Sequence, residues 1–118
     1  MSVLAINEFA RNSDGFNLKA GVAADSGGDV FANTGQELVV IDNQSGAPIT
    51  VTFVTPAIVD DLNVPDKTMV VPAAGIRVIG PFPNAWYTNS IGLLSINYSS
   101  ATSVFVLILR PTGLRPLL

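Results

Sequence analysis

Few side chains in this sequence could do chemistry, and most of them are carboxylates. Asp60 and Asp61 are adjacent, and Asp25, Ser26 and Asp29 surround Gly27 and Gly28. Two carboxylates can divide general acid and base work when they flank one bond at a set separation. Neighbouring residues on a strand point to opposite faces, so the Asp60–Asp61 pair reads as solvated turn residues. The Asp25–Asp29 loop offers the carboxylate and carbonyl oxygens that calcium accepts. Its spacing departs from the twelve-residue calcium loop between two helices, and a plain solvent loop is the reading its residues favour.

The chain has no histidine and no cysteine. The first absence removes the usual general base near neutral pH and the commonest metal ligand. The second removes thiolate chemistry and any disulfide framework. A lysine standing in for the base of a nucleophile pair would have to be Lys19 or Lys67. No Gly-x-Gly-x-x-Gly or Lys-Ser/Thr phosphate loop occurs. The sequence therefore predicts no enzyme, no catalytic residue, no metal site and no cofactor.

What remains is surface. The 118 residues suit one domain, with a net charge of −3 and only 13% charged residues. There is no basic patch, so nucleic acid is not an expected partner. No apolar run approaches a membrane span, and the first eight residues lack the basic region of a signal peptide. Low charge with positive mean hydropathy fits a subunit that loses surface to neighbours.

The elements that would carry such surface are strands. Six are read at short, regular spacing: residues 36–42, 49–54, 68–71, 76–79, 93–98 and 103–109. Ile49, Val51 and Phe53 alternate with Thr50 and Thr52, and Leu94, Ile96 and Tyr98 with Ser95 and Asn97, as half-buried strands do. Asn43–Gly46 predicts a hairpin turn between the first two strands, and Pro72–Gly75 a second hairpin from Thr68 to Ile79. Gly80-Pro-Phe-Pro83 forces an extended corner. The Trp86-Tyr87 pair beyond it is expected to plug the end of the core or, second, to meet a partner. Residues 1–34 read as an N-terminal arm with short strands, although Leu4–Arg11 also fits a helix, and Asn12–Gly15 as a turn. Residues 35–110 form the core, and 111–118 a tail that its prolines keep out of a central strand. The expected fold is all-β, a small antiparallel β-sandwich or barrel with an N-terminal arm.

The last strand, Ser103–Leu109, is apolar on both faces. One face carries Phe105, Leu107 and Leu109, and the other Val104, Val106 and Ile108. One side can be the chain's own core, and the other needs covering by the arms or by another molecule. Val104, Val106 and Ile108, with Leu114 and Leu117 of the tail, are the expected subunit interface.

Several stretches carry a family likeness: Gly27–Gly35, Asp42–Val51, Val71–Arg77, Ile79–Pro83 and Asn97–Val104. In that order and spacing they resemble a family of tailed-phage and prophage capsid decoration, or cement, proteins encoded beside the major capsid protein. The likeness spans roughly residues 3–110 and brings no catalytic motif with it. It implies a structural protein of the virion, made in the host cytoplasm, that binds the outer capsid surface and stabilises the mature head. The implied partners are the major capsid protein and further copies of the chain, as a homotrimer or, second, a homodimer. Val3, Leu4, Phe16, Phe31, Phe82 and Trp86 are the candidate capsid contacts. The rival reading is a carbohydrate- or receptor-binding module of a head fibre, in which Trp86 and Tyr87 stack on a sugar.

Overall fold

The computed structural model describes residues 2–10, 17–19, 21–56, 58–59, 61–63 and 65–112. In chain order the strands are β1 (Ser2–Val3), β2 (Ile6–Ala10), β3 (Val22–Ala23), β4 (Asp29–Ala32), β5 (Leu38–Asn43) and β6 (Ile49–Phe53). They continue with β7 (Ile58–Val59), β8 (Leu62–Asn63), β9 (Lys67–Val71), β10 (Ile76–Ile79), β11 (Leu93–Tyr98) and β12 (Val104–Thr112), with one helical turn, α1 (Asn84–Tyr87), before β11. The chain is an all-β sandwich. One sheet has the order β1-β4-β11-β6-β9, and the other runs β10-β5-β12-β2 with β3 also paired to β12. Both sheets are mixed, because β1 runs parallel to β4 and β2 parallel to β12.

The core lies between the sheets and is filled by the alternation expected of strands half open to water. Ile49, Val51 and Phe53 of β6 meet Leu94 and Ile96 of β11 and Phe31 of β4 on one inner face. Val39 and Ile41 of β5 with Val104, Val106 and Ile108 of β12 supply the other. Fully burying an aliphatic or phenyl side chain contributes about 1.5–3 kcal/mol.

The two predicted hairpins are not hairpins. β5 and β6 lie in different sheets, and so do β9 and β10, so each connection is an arch across the sandwich. The strands' surroundings give the reason. β5 is buried on both faces along nearly its whole length, whereas β6 alternates between buried and half-buried positions.

Asn43 locks the two arches together. Its Nδ2 donates to the carbonyls of Ala47 (2.9 Å), Val71 (3.2 Å) and Pro72 (3.1 Å), and its Oδ1 accepts from Ser45 N (3.0 Å) and Oγ (2.6 Å). The Asn43 amide also donates to Gly75 O at 2.9 Å. The side chain is fully buried.

The described residues of the 1–34 segment are not an appendage. Their strands pair in both sheets, Phe31 is central to the core, and Ile6–Ala10 is a strand rather than a helix. The chain crosses from one sheet to the other at Leu4, which drops into the core. β12 also runs past the expected boundary at 110, to Thr112. At Pro111 it pairs only with β2, since its pairing with β5 ends at Leu109. The proline therefore sits where no second ladder needs its missing N–H. The predicted turn at Asn12–Gly15 lies outside the described residues.

Both faces of β12 are covered within the single chain. Val104, Val106 and Ile108 are core residues, and Leu107 and Leu109 form a second buried cluster with Val40, flanked by Leu38 and Ile76. Of the two expected covers, the chain itself or another molecule, the chain's own residues supply it. Val104, Val106 and Ile108 cannot be an exposed subunit interface, because the facing sheet already occupies their surface. Leu114 and Leu117 lie outside the described residues.

Candidate functional site

The site worth building is the end of the sandwich where β4 and β6 finish and β9 and β11 begin. Ala32 pairs with Leu93 there, and Phe53 with Lys67. The Gly80–Pro83 corner crosses this end with a cis Gly80–Pro81 peptide. Gly80 has φ +122°, and a Cβ on it would meet Glu37 O at 2.9 Å, so no other residue fits without displacement. Phe82 is thereby set into the core, its ring 4.6 Å from Phe53 and 5.1 Å edge-on from Tyr87. Pro83 O accepts from both Trp86 N and Tyr87 N at 3.2 Å, forming the single turn of α1.

Two buried or half-buried asparagines hold this segment. Asn33 Nδ2 donates to Phe82 O (3.3 Å) and Thr88 Oγ1 (3.0 Å). Asn89 Oδ1 accepts from the amides of Ile91 and Leu93 at 3.0 Å each. On this braced frame three large apolar side chains stand in water. Trp86 is 51% exposed, Ile91 74% and Leu62 71%. Leu62 belongs to the small β7–β8 hairpin, whose base is closed where Asp66 Oδ1 accepts from Thr55 N (2.8 Å) and Oγ1 (3.0 Å). Asp61 takes φ 65° in the turn between those strands, a conformation that Asp tolerates better than most residues. Its expected partner, Asp60, lies outside the described residues.

The candidate contacts therefore divide. Trp86 faces water, as does Val3, which is 75% exposed at the β1 edge. Leu4, Phe31 and Phe82 are buried and cannot touch a partner directly; each is the inward residue of its segment. Phe16 lies outside the described residues. The Trp86–Tyr87 pair is not a joint core plug, because Tyr87 packs on Phe82 while Trp86 projects outward.

Sequence reasoning missed the cluster around Glu37 and, in the Asp25–Asp29 loop it did single out, missed the Ser2 and Tyr98 partners. Glu37, fully buried, accepts from Thr34 N (2.7 Å), Thr34 Oγ1 (2.8 and 3.0 Å) and Arg110 Nε (2.5 Å). Arg110 also lies 3.9 Å from Glu8. Burial by itself would raise the Glu37 carboxyl, but the Thr34 and Arg110 donors outweigh it and hold the group below the usual glutamate value. The Thr34-Gly-Gln-Glu37 spacing is that of a helix capping box, here closing a loop into a strand.

The second cluster is the Asp25–Asp29 loop. Gly27 N donates to Asp25 Oδ1 (2.9 Å) and Ser2 Oγ to Asp25 Oδ2 (3.0 Å). These bonds, the Gly27 amide first, draw the Asp25 carboxyl down to about 2. Tyr98 donates to the buried Asp29 Oδ2 at 2.7 Å. Burial first, and then that carboxylate, push the Tyr98 phenol well above its ordinary value. Among the described residues no three His, Cys, Asp or Glu side chains group to hold a metal ion. Among them, too, no helix is long and apolar enough to cross a membrane.

No protein-family model, no curated protein and no solved structure matches this chain.

Proposed function

We propose that this chain is a structural protein of a phage virion, one that binds the outer surface of the capsid and stabilises the mature head lattice. The observation that carries the reading is the rigid, apolar end bearing Trp86, Ile91 and Leu62. Large apolar side chains held in water by a hydrogen-bonded frame contribute little to the chain's own stability. They gain when a partner covers them, at about 25 cal/mol per Å² before the costs of association. An exposed tryptophan is the kind of residue that dominates protein contacts. The likeness of the sequence to capsid decoration proteins supplies the partner, the major capsid protein. A subunit that binds only the mature lattice stabilises that lattice by mass action.

The test is sedimentation of the purified chain with heads built from the major capsid protein encoded beside it. The chain is expected to pellet with expanded heads and Trp86→Ala to stay in the supernatant; a wild-type chain that never pellets overturns the reading.

Trp86's exposure also favours a second reading, a carbohydrate- or receptor-binding module of a head fibre. An exposed indole is a ready stacking surface for a sugar ring. Tyr87 does not extend that surface, since it lies edge-on against Phe82. Quenching or enhancement of tryptophan fluorescence by saccharides separates the two readings, because Trp86 is the one tryptophan in the chain.

A further inference from the structure

Two strands share one edge of β12 and leave a gap between them. β3 pairs antiparallel with Phe105 and Val106, and β2 pairs parallel from Ile108 onward. Among the described residues, none is paired opposite Leu107 on that edge. Both flanks of the gap are fixed. Gly21 lies against the Val106 backbone, and a Cβ there would meet Val106 O at 2.9 Å, so a larger residue would push β3 off the edge. Ala24 N donates to Val104 O at 2.9 Å, and on the other flank Leu4 N donates to Val30 O at 2.8 Å.

The gap opens into a cavity of about 120 Å³. Its buried lining is Leu4, Val106 and Ile108, and its mouth carries the exposed Ala5 and Val22, the latter 57% exposed. Asn7 is the one polar side chain in the lining, and no charged side chain joins it. The Asn7 Nδ2 donates to Ile108 O (3.3 Å) and Ala5 O (3.4 Å), while its Oδ1 accepts no hydrogen bond from the described residues.

We propose that this cavity binds a small, uncharged aromatic molecule with one hydroxyl, a phenol. Size allows one ring: an apolar cavity of about 150 Å³ stays dry and takes up benzene, and this one is only a little smaller and open at its mouth. Shape favours a flat ring. β3 stops opposite Val106 and β2 starts opposite Ile108, and positions two residues apart on a strand are separated by about 6.6 Å. A flat ring between two surfaces needs about 3.5 Å on each side, and a puckered ring needs more. Polarity sets the rest. A hydroxyl on the ring donates to Asn7 Oδ1, whereas a carboxylate or an amine would lose its water and meet no opposite charge. The bound ring also covers Val22, an apolar side chain that the chain leaves in water. A ligand of about seven non-hydrogen atoms in such a site supports a dissociation constant on the order of 1 mM. This inference is independent of the capsid reading and of the Trp86 end.

The test is a titration of the full chain with phenol to about 10 mM, followed through its amide NMR resonances. Saturable shifts are expected at Val22, Leu107 and Ile108, half complete near ~1 mM. Toluene lacks the hydroxyl and cyclohexanol is not flat, so each is expected to bind about fivefold more weakly or worse, and benzoate not at all. Asn7→Ala should weaken phenol about fivefold and leave toluene unchanged, a split that a merely structural Asn7 would not produce. Ala5→Phe sets a ring of the chain's own in the mouth and should abolish the saturable shifts. Ala5 is exposed between strands, so this variant carries the test if Asn7→Ala loses its far-UV circular dichroism. No saturable shift by about 10 mM phenol, shifts undiminished in Ala5→Phe, or benzoate bound as tightly as phenol, overturns the inference.

Discussion

Asn43 donates to the carbonyl of Pro72 at 3.1 Å, joining two sheet-to-sheet arches that lie 29 residues apart in sequence. The same amide nitrogen reaches Val71 O and Ala47 O, so one buried side chain satisfies backbone groups of both crossovers. Asn43→Ala strands these carbonyls away from water and is expected to cost about 2–4 kcal/mol in urea unfolding. Asn43→Asp, of the same shape, is expected to cost at least as much, since it sets an acceptor against carbonyl oxygens. An Ala variant within ~0.5 kcal/mol of the unmodified chain would contradict this role.

Glu37 and Arg110 predict the acid limit of the fold. The Glu37 carboxyl is held below its ordinary value of 4.5 in the folded chain. The unfolded chain therefore takes up the proton first as pH falls. The stability due to Glu37 is complete above about pH 4.5 and is lost as pH drops through the lower, folded value. Glu37→Gln should flatten the stability curve in that window while lowering stability at pH 7. Removing the carboxylate altogether, in Glu37→Ala, leaves Arg110 and the Thr34 donors unpaired and should cost about 3–5 kcal/mol. Urea midpoints from pH 3 to pH 7 check both.

Tyr98 works in the opposite direction. Its phenol is raised above 10 by burial and by the Asp29 carboxylate. The stability it contributes is complete below pH 10 and is lost as pH climbs toward the folded value. Tyr98→Phe leaves a buried carboxylate that already has one oxygen without a hydrogen bond. The expected loss is about 2–3 kcal/mol at pH 7, with a flatter decline above pH 10, read from thermal midpoints at pH 7 and pH 10.5.

The two neighbouring aromatics Phe82 and Trp86 should separate folding from binding. Phe82→Ala empties a core position between Phe53 and Tyr87 and is expected to cost about 3–5 kcal/mol. Trp86→Ala removes an exposed ring and should move stability by no more than about 0.5 kcal/mol. It should weaken capsid binding at least tenfold, an effect of about 1.4 kcal/mol or more. Equal losses of stability in the two variants would contradict the assignment of Trp86 to the surface.

Much of the sandwich was legible because strand alternation is a local signal. Thr50 and Thr52 between Ile49, Val51 and Phe53 sort themselves by face, and so do Ser95 and Asn97. The sheet assignment was not legible. Asn43–Gly46 suits a hairpin turn as well as an arch, and only contacts with Val71 and Pro72, far along the chain, decide between them. Apolarity on both faces of β12 signalled double coverage correctly, but composition cannot say whose atoms provide it; the chain's own residues do. Ile6–Ala10 was obscured because Asn7 and Glu8 interrupt it, and its strand form depends on a parallel ladder to β12. At the candidate site the outward direction of Trp86 was not legible, because it depends on Tyr87 claiming the place beside Phe82.

The most direct measurement of the central claim compares binding of the purified chain to expanded and unexpanded empty heads of the capsid protein proposed as its partner. The account predicts saturable binding to expanded heads, a fixed number of copies per head, greater resistance of those heads to heat, and loss of all three in Trp86→Ala. Binding to neither form, or equal binding by the Trp86→Ala chain, would contradict it.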